Sequence, residues 1–324
     1  MSKENGISPA DLSQVKTYLI KDRINKVKVS DFASPPHPGQ SVSDWLKTLP
    51  NILAGNSFKE LIKAIVTARA ESRPVIVMMG GHVIKCGLSP VIISMMEHGI
   101  LTGIAMNGAT SIHDFEIAII GETSEDVGTN IASGIFGMWE ETGRFMNEAI
   151  KHGQQSNTGM GESLGRKLID LQAPYKNVSL LASAVRLNIP LTVHVAIGTD
   201  IIHQHPSADG SAIGQTSFTD FRIFVSEVAN LDGGVLLNFG SAVIMPEVFL
   251  KALSIARNLG HKVTEFTTAN FDMFQHYRPN ENIVKRPTNI GGKGYSITGH
   301  HEIMIPLLAC AVMDEMKATK NNHF

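Results

Sequence analysis

The sequence predicts one α/β domain, a Rossmann-like parallel sheet with helices on both faces, and three observations predict it. Short apolar runs alternate with stretches of helical spacing, as in Val75-Ile76-Val77-Met78-Met79 after the Leu61, Ile62, Ile65, Val66 series. Each run ends in a loop of small or polar residues such as Gly80-Gly81. The chain has 324 residues, 43% of them hydrophobic, enough to bury a sizeable core. Strands that read as unbroken apolar runs, separated by helices, belong in a parallel sheet covered on both faces.

Taken in order, residues 1–57 read as an irregular lead-in, because Pro35-Pro36-His37-Pro38-Gly39 interrupts any helix. The α/β domain then occupies residues 58–324. A helix begins at Phe58, and Pro74 admits the first strand. A helix over Leu88 to His98, a strand over Leu101 to Met106 and a turn at Asn107-Gly108 follow. The stretch from Gly121 to Gly165 is polar and glycine-rich, with helix around Phe136 to Ile150 and a mobile loop expected from His152 to Gly159. Beyond it lie a helix at Val178 to Leu187, a strand at Leu191 to Ile197, a helix at Phe218 to Leu231 and a strand at Gly234 to Asn238. Pro246 opens a helix to Leu259 that Gly260 caps, Val263 to Thr267 reads as a strand, and Ile303 to Met313 as a last apolar helix.

Composition excludes several classes of function. With 28 Lys and Arg against 30 Asp and Glu, the net charge of -2 offers no footprint for nucleic acid or an anionic lipid surface. No stretch reaches the ~18 apolar residues of a membrane span, and the polar start with Lys3 and Glu4 lacks a signal peptide's apolar run, so a cytoplasmic protein is expected. Cys86 and Cys310 cannot make a disulfide framework and read as packing thiols.

Ligands of open parallel sheets bind beyond the carboxyl ends of the strands. The loops there are Gly80-Gly81-His82, Asn107-Gly108-Ala109-Thr110, Gly198-Thr199-Asp200, Asn238-Phe239-Gly240-Ser241 and Thr267 to Asp272. Five small, polar loops in succession predict a surface where a ligand approaches backbone, although none matches a GxGxxG or Walker pattern. His113, beside Asp114 and Glu116, stands where an imidazole near carboxylates can serve as acid or base, or where acidic residues complement a helix dipole. Asp200 and Asp272 also end strands and can bind hydroxyls or cap the next segment. His203-Gln204-His205, His194 and His300-His301 lack the fixed third ligand of a metal motif, so no metal is expected. Ser241 lacks the GxSxG elbow of a nucleophile.

Together these segments resemble deoxyhypusine synthase, the NAD-dependent family that transfers an aminobutyl group from spermidine to a protein lysine. Met106 to Asp114 is similar to the family's Thr-Thr-Ala-Gly-Gly-Val-Glu-Glu-Asp loop, with Asp114 the matching acid. Gly198-Thr199-Asp200 resembles its Asp-containing substrate loop, and Thr267-Thr268-Ala269-Asn270-Phe271-Asp272 its cofactor-contacting Asn-Thr-Ala-Gln-Glu-Phe-Asp. The family's imine-forming lysine has no counterpart here. In Phe239-Gly240-Ser241-Ala242-Val243-Ile244 its place is taken by Ile244, whose side chain cannot form an imine.

The resemblance implies NAD or a related nucleotide on Gly80, Gly81, His82, Asn107, Gly108, Ala109, Thr110, Gly240, Ser241, Thr268, Ala269 and Asp272. It implies chemistry at His113, Asp114 and Asp200, with Lys85 nearby, on a small amine or alcohol and without the imine step. It also implies a homo-oligomer, a tetramer, with the lead-in at a subunit contact. Two other readings stand beside this one: a non-catalytic nucleotide-binding or assembly protein, and a metal-assisted hydrolase using His203, His205 and Asp209.

Overall fold

Apolar runs become the middle of a sheet. A computed structural model describes residues 8–321. Helices α1 (Val42–Thr48) and α2 (Leu53–Ala70) precede strand β1 (Val75–Met79), all five of whose residues are buried. The short α3 (His82–Lys85) and α4 (Ser89–Glu97) lead to β2 (Gly103–Asn107) and α5 (Gly108–Ile120). Next come α6 (Val127–Ile131), α7 (Glu140–Ser156), α8 (Met160–Asp170), α9 (Leu180–Leu187) and β3 (Leu191–His194). The remainder is α10 (Gly210–Ala229), β4 (Val235–Phe239), α11 (Ile244–Asn258), β5 (Thr267–Asp272), α12 (Tyr277–Pro279), β6 (Lys293–Thr298) and α13 (His301–Asn321).

The six strands form one sheet in the order β3-β2-β1-β4-β5-β6, with every pairing parallel. All carboxyl ends therefore share one edge. The chain winds outward from β1 in one direction and from β4 in the other, so the order reverses between them, where this topology opens its crevice. Alternate residues of the central strands feed two cores. Val75, Val77 and Met79 pack with Leu61, Ile92, Phe115, Leu181 and Leu308 on one face. Ile76 and Met78 pack with Phe224, Val228, Phe249 and Leu253 on the other. Each such side chain contributes about 1.5–3 kcal/mol on full burial, and the helices sit on both faces because both are apolar. Among the described residues no helix is long and apolar enough to cross a membrane.

Several elements differ from the sequence reading. The lead-in contains α1, which Ser41 caps by accepting from Asp44 N, and α2 starts at Leu53. The loop expected from His152 to Gly159 is mostly the last turns of α7, ended by Asn157 in the left-handed conformation at φ 56°. β5 lies at Thr267–Asp272, downstream of the Val263 run, because Val263 and Phe266 are buried against the face that α11 covers. β6 escaped notice because it is an edge strand with a single fully buried residue, Ile297. The opposite edge, β3, is covered by the start of α8. A side chain at Gly161 would overlap the Leu191 carbonyl, and buried Asp220 accepts from Gly161 N (2.9 Å) and Val193 N (2.8 Å).

Candidate functional site

The crevice between β1 and β4 is closed by backbone. Gly80 N donates to the Phe239 carbonyl at 3.0 Å, and a Cβ on Gly80 would stand 2.8 Å from the Gly240 carbonyl. Gly240 itself is left-handed (φ 66°), and a side chain there would overlap His301, whose Nε2 bonds the Phe271 carbonyl at 3.1 Å. Exposed His82 stands over this junction with its ring centroid 5.8 Å from that of His301.

One strand to the side, the arrangement opens. β2 runs into α5 with no intervening loop, because Asn107 both ends the strand and caps the helix. Its Oδ1 accepts from Thr110 N at 3.0 Å and from the Thr110 hydroxyl at 2.7 Å. Helical spacing then places Ala109, Ile112, His113 and Glu116 on one face of α5. That face floors a cavity of about 220 Å³, whose other walls include Lys85, Glu125, Phe136, Trp139, Asp200 and Ile201. A second cavity of about 550 Å³ adjoins it and shares Glu116, Glu125 and Trp139.

Three titratable groups in the first cavity are perturbed. Burial, with Lys85 nearby, lowers His113 to about 4, so its imidazole is neutral at neutral pH. Its Nδ1 lies 2.7 Å from the Thr123 hydroxyl, and that hydroxyl donates to Glu116 Oε2 at 2.6 Å. Burial raises Glu116, while hydrogen bonds from Thr123 and Thr142 pull it back. Burial also raises Asp200 to about 6. Its Oδ2 is buried without a hydrogen-bond partner, 3.9 Å from the equally unpartnered His203 Nε2. The carboxylate presses on the first turn of α5, where any side chain at Gly108 would overlap it. Strongly perturbed groups around one cavity mark a candidate site.

The structure sorts the expected residues. Ala109, His113 and Asp200 line the cavity together with Lys85. Asp114 does not. It is fully buried and accepts from the Ser179 hydroxyl (2.6 Å), Leu180 N (2.7 Å) and Leu181 N (3.0 Å), so it holds the first turn of α9, whose N-cap is Ser179. Thr268 and Ala269 are buried inside β5, with the Thr268 hydroxyl bonded to the Ile283 carbonyl, so neither faces the sheet's edge. Thr110 is likewise fully buried, and Ser241 Oγ accepts from Met245 N at the start of α11. Asp272 ends β5 half-buried and holds Phe274 N at 3.3 Å.

His203, His205 and Asp209 do not converge as a ligand set. His205 bonds the Gly137 carbonyl, Asp209 caps α10 through Ser211 N and Ala212 N, and His203 faces Asp200. Among the described residues no group of three or more His, Cys, Asp or Glu is placed to hold a metal ion. Thr123, Glu125, Phe136 and Trp139 were missed in the sequence, because the first two come from a polar stretch without periodicity and the last two fall where helix is expected although α7 starts only at Glu140. Positive φ at Gly121 (77°), Ser124 (72°), Gly134 (73°) and Gly137 (71°) marks where this stretch folds back on itself.

No family model matches the chain, and no curated protein matches it. Solved structures do share its α/β fold. One is a conserved protein of Methanococcus maripaludis S2 assigned as LOR/SDH, with 15% identity, a TM-score of 0.50, and coverage of 87% of this chain and 74% of that one. Another is AgrE in a ternary complex with ornithine and NAD+, with 14% identity, a TM-score of 0.52, and coverage of 84% of this chain and 35% of AgrE. A protein of Entamoeba histolytica assigned as a deoxyhypusine synthase matches at 11% identity and a TM-score of 0.47, over 85% of this chain and 94% of its own. The chain thus spans about a third of AgrE, and the likeness throughout is one of fold.

Proposed function

We propose that the chain binds a nicotinamide nucleotide along the carboxyl ends of its strands and presents a small amine or alcohol to it in the cavity on α5. The observation that carries this reading is the pairing, in one cavity of about 220 Å³, of a neutral imidazole at His113 with an unpartnered buried carboxylate at Asp200. AgrE, which has this fold, was captured with both ornithine and NAD+, and that supports the cofactor class. The cavity is smaller than the roughly 300–1,000 Å³ of pockets that hold whole drug-sized ligands, so it suits a small substrate or one end of a larger molecule. Gly81, His82 and Asp272, all exposed or half-buried at the strand ends, would hold the remainder of the nucleotide. When bound, the nicotinamide would supply hydride chemistry.

This chain's residues have separable tasks. Asp200, mostly ionised at pH 7 from its value of about 6, attracts and orients a cationic or hydroxylic substrate from its place against α5. His113 offers a nitrogen to accept a substrate proton. Trp139 and Phe136 cover the cavity and restrict water. The reading uses no imine step, since Ile244 begins α11 at the position that the resemblance assigns to the imine-forming lysine. A homo-oligomer agrees with the exposure of Leu12, Leu19, Ile24 and Phe32 in the lead-in.

Calorimetric titration with NAD+ and NADH, followed by turnover of small amines and alcohols read from nicotinamide absorbance, tests the proposal. Asp200→Asn is expected to weaken substrate at least tenfold, and Gly108→Ala to do the same by displacing the carboxylate. Failure of the unaltered protein to bind either nucleotide would overturn the reading. Nucleotide binding without turnover of any substrate would favour the non-catalytic alternative.

A further inference from the structure

We infer that Thr123 is a positioning residue that fixes which nitrogen of His113 carries the proton. A threonine hydroxyl has one proton to give and lone pairs with which to accept. Here it gives that proton to Glu116 Oε2 at 2.6 Å, and the other oxygen of Glu116 is satisfied by the Thr142 hydroxyl at 3.2 Å. With its proton committed, the Thr123 oxygen facing His113 Nδ1 at 2.7 Å can only accept. Nδ1 therefore bears the hydrogen, and Nε2 presents a bare lone pair.

The surroundings enforce this outcome. Glu116 sits one turn beyond His113 on α5, so helical spacing brings the carboxylate and the imidazole to the same hydroxyl. Gly81 leaves room for the ring, since a Cβ there would stand 3.0 Å from His113 Cδ2. No described residue bonds Nε2. The other charged groups facing the ring are Lys85 from α3 and, across the cavity, Asp200 and Glu125.

The consequence is a rule for the ligand, which rests on the reading of this cavity as a substrate site. The group that meets His113 must be a donor, an alcohol O–H or an amine N–H. If it transfers its proton, the donor atom keeps the bonding pair, the proton joins Nε2, and the resulting imidazolium keeps its Nδ1 hydrogen on Thr123. The positive charge then faces the Glu116 carboxylate through one hydroxyl. A ligand that offers only acceptors at that point, such as a carboxylate, is refused.

Nitrogen-15 NMR of labelled histidine in the unaltered protein reads the tautomer directly and needs no turnover. The Nδ1–H form is expected to predominate. Thr123→Val should shift the tautomer ratio by about tenfold, the worth of one hydrogen bond, and Thr123→Ser should restore it. An unaltered protein in which Nε2 carries the hydrogen would overturn the inference even if no variant folds. A Thr123→Val spectrum identical to the original would do the same. Neither result depends on nucleotide binding, so failure of the proposed function leaves this outcome readable.

Discussion

The segments that follow β2 and β4 look alike in sequence and behave oppositely. Both are short, glycine-bearing and placed at the carboxyl edge. After β4, glycine serves the protein's own packing: Gly240 leaves room for the His301 ring and receives the backbone of the β1 loop. Most polar groups there bond one another, with Asn238 Nδ2 donating to Asn270 Oδ1 and the Ser241 carbonyl and Asn270 Nδ2 to Gln275 Oε1, while Asn238 Oδ1 is left without a partner away from any cavity described above. After β2, Gly108 leaves room for a carboxylate whose Oδ2, the oxygen nearest the glycine, has no partner, beside a cavity. A glycine at a strand end thus reports close approach but not the identity of what approaches. The partner atom decides whether the place is a seam or a site.

The largest expected effect breaks the seam. Gly240→Val puts a branched side chain at φ 66° and into His301, and should cost about 3–5 kcal/mol in urea unfolding. If instead stability is kept and ligand binding is lost, the β4 loop belongs to the site.

The next effect separates two aspartates that differ only in their neighbours. Asp114→Ala strands a buried hydroxyl and two backbone N–H groups at the start of α9 and should cost about 2–4 kcal/mol, with ligand affinity of the folded fraction unchanged. A loss of affinity without a loss of stability would return Asp114 to the chemistry.

The smallest effect concerns pH. Burial raises Asp220 to about 7 and Glu227 well above its usual range. Against an ordinary value of 6.5, the lowered His113, His194 and His203 still gain stability as pH rises to about 8, by about 1 kcal/mol between them, so the carboxylate is read from the difference between the unaltered protein and Asp220→Asn. Folded Asp220 still holds a proton that the unfolded chain has released, so its own contribution falls as pH rises through 7. That contribution is expected to shrink by about 1 kcal/mol between pH 6.5 and 8, measured as the difference between the thermal melts of the two proteins. A difference that stays level across that window would show Asp220 to be hydrated.

How much of this was legible depends on the range of the signal. β1 and β4 could be read directly, because a central parallel strand must be apolar on both faces. The place of His113 at the cavity could also be read, since it follows a strand end within one helical turn of an acid. The role of Asp114 could not. Its partners at Ser179, Leu180 and Leu181 lie more than sixty residues away, and nothing local distinguishes a helix support from a catalyst. Other features hid Thr123 and Trp139: Thr123 lies ten residues from His113 in a polar stretch without periodicity, and Trp139 falls where the sequence suggests helix although α7 starts only at Glu140. Val263 misled for a different reason: an apolar run buried against a helix has the composition of a strand without its pairing.

The junction at Asn107 and Gly108 has no residue to spare between strand and helix. Anyone reshaping this cavity by grafting or lengthening loops will find nothing to lengthen at its floor. An added residue there would turn α5 about its axis by roughly 100° and carry His113 out of the cavity. The floor is therefore adjustable by exchanging side chains at Ala109 and Ile112, whereas insertions belong in the loop parts of the 121–139 segment opposite, on either side of α6.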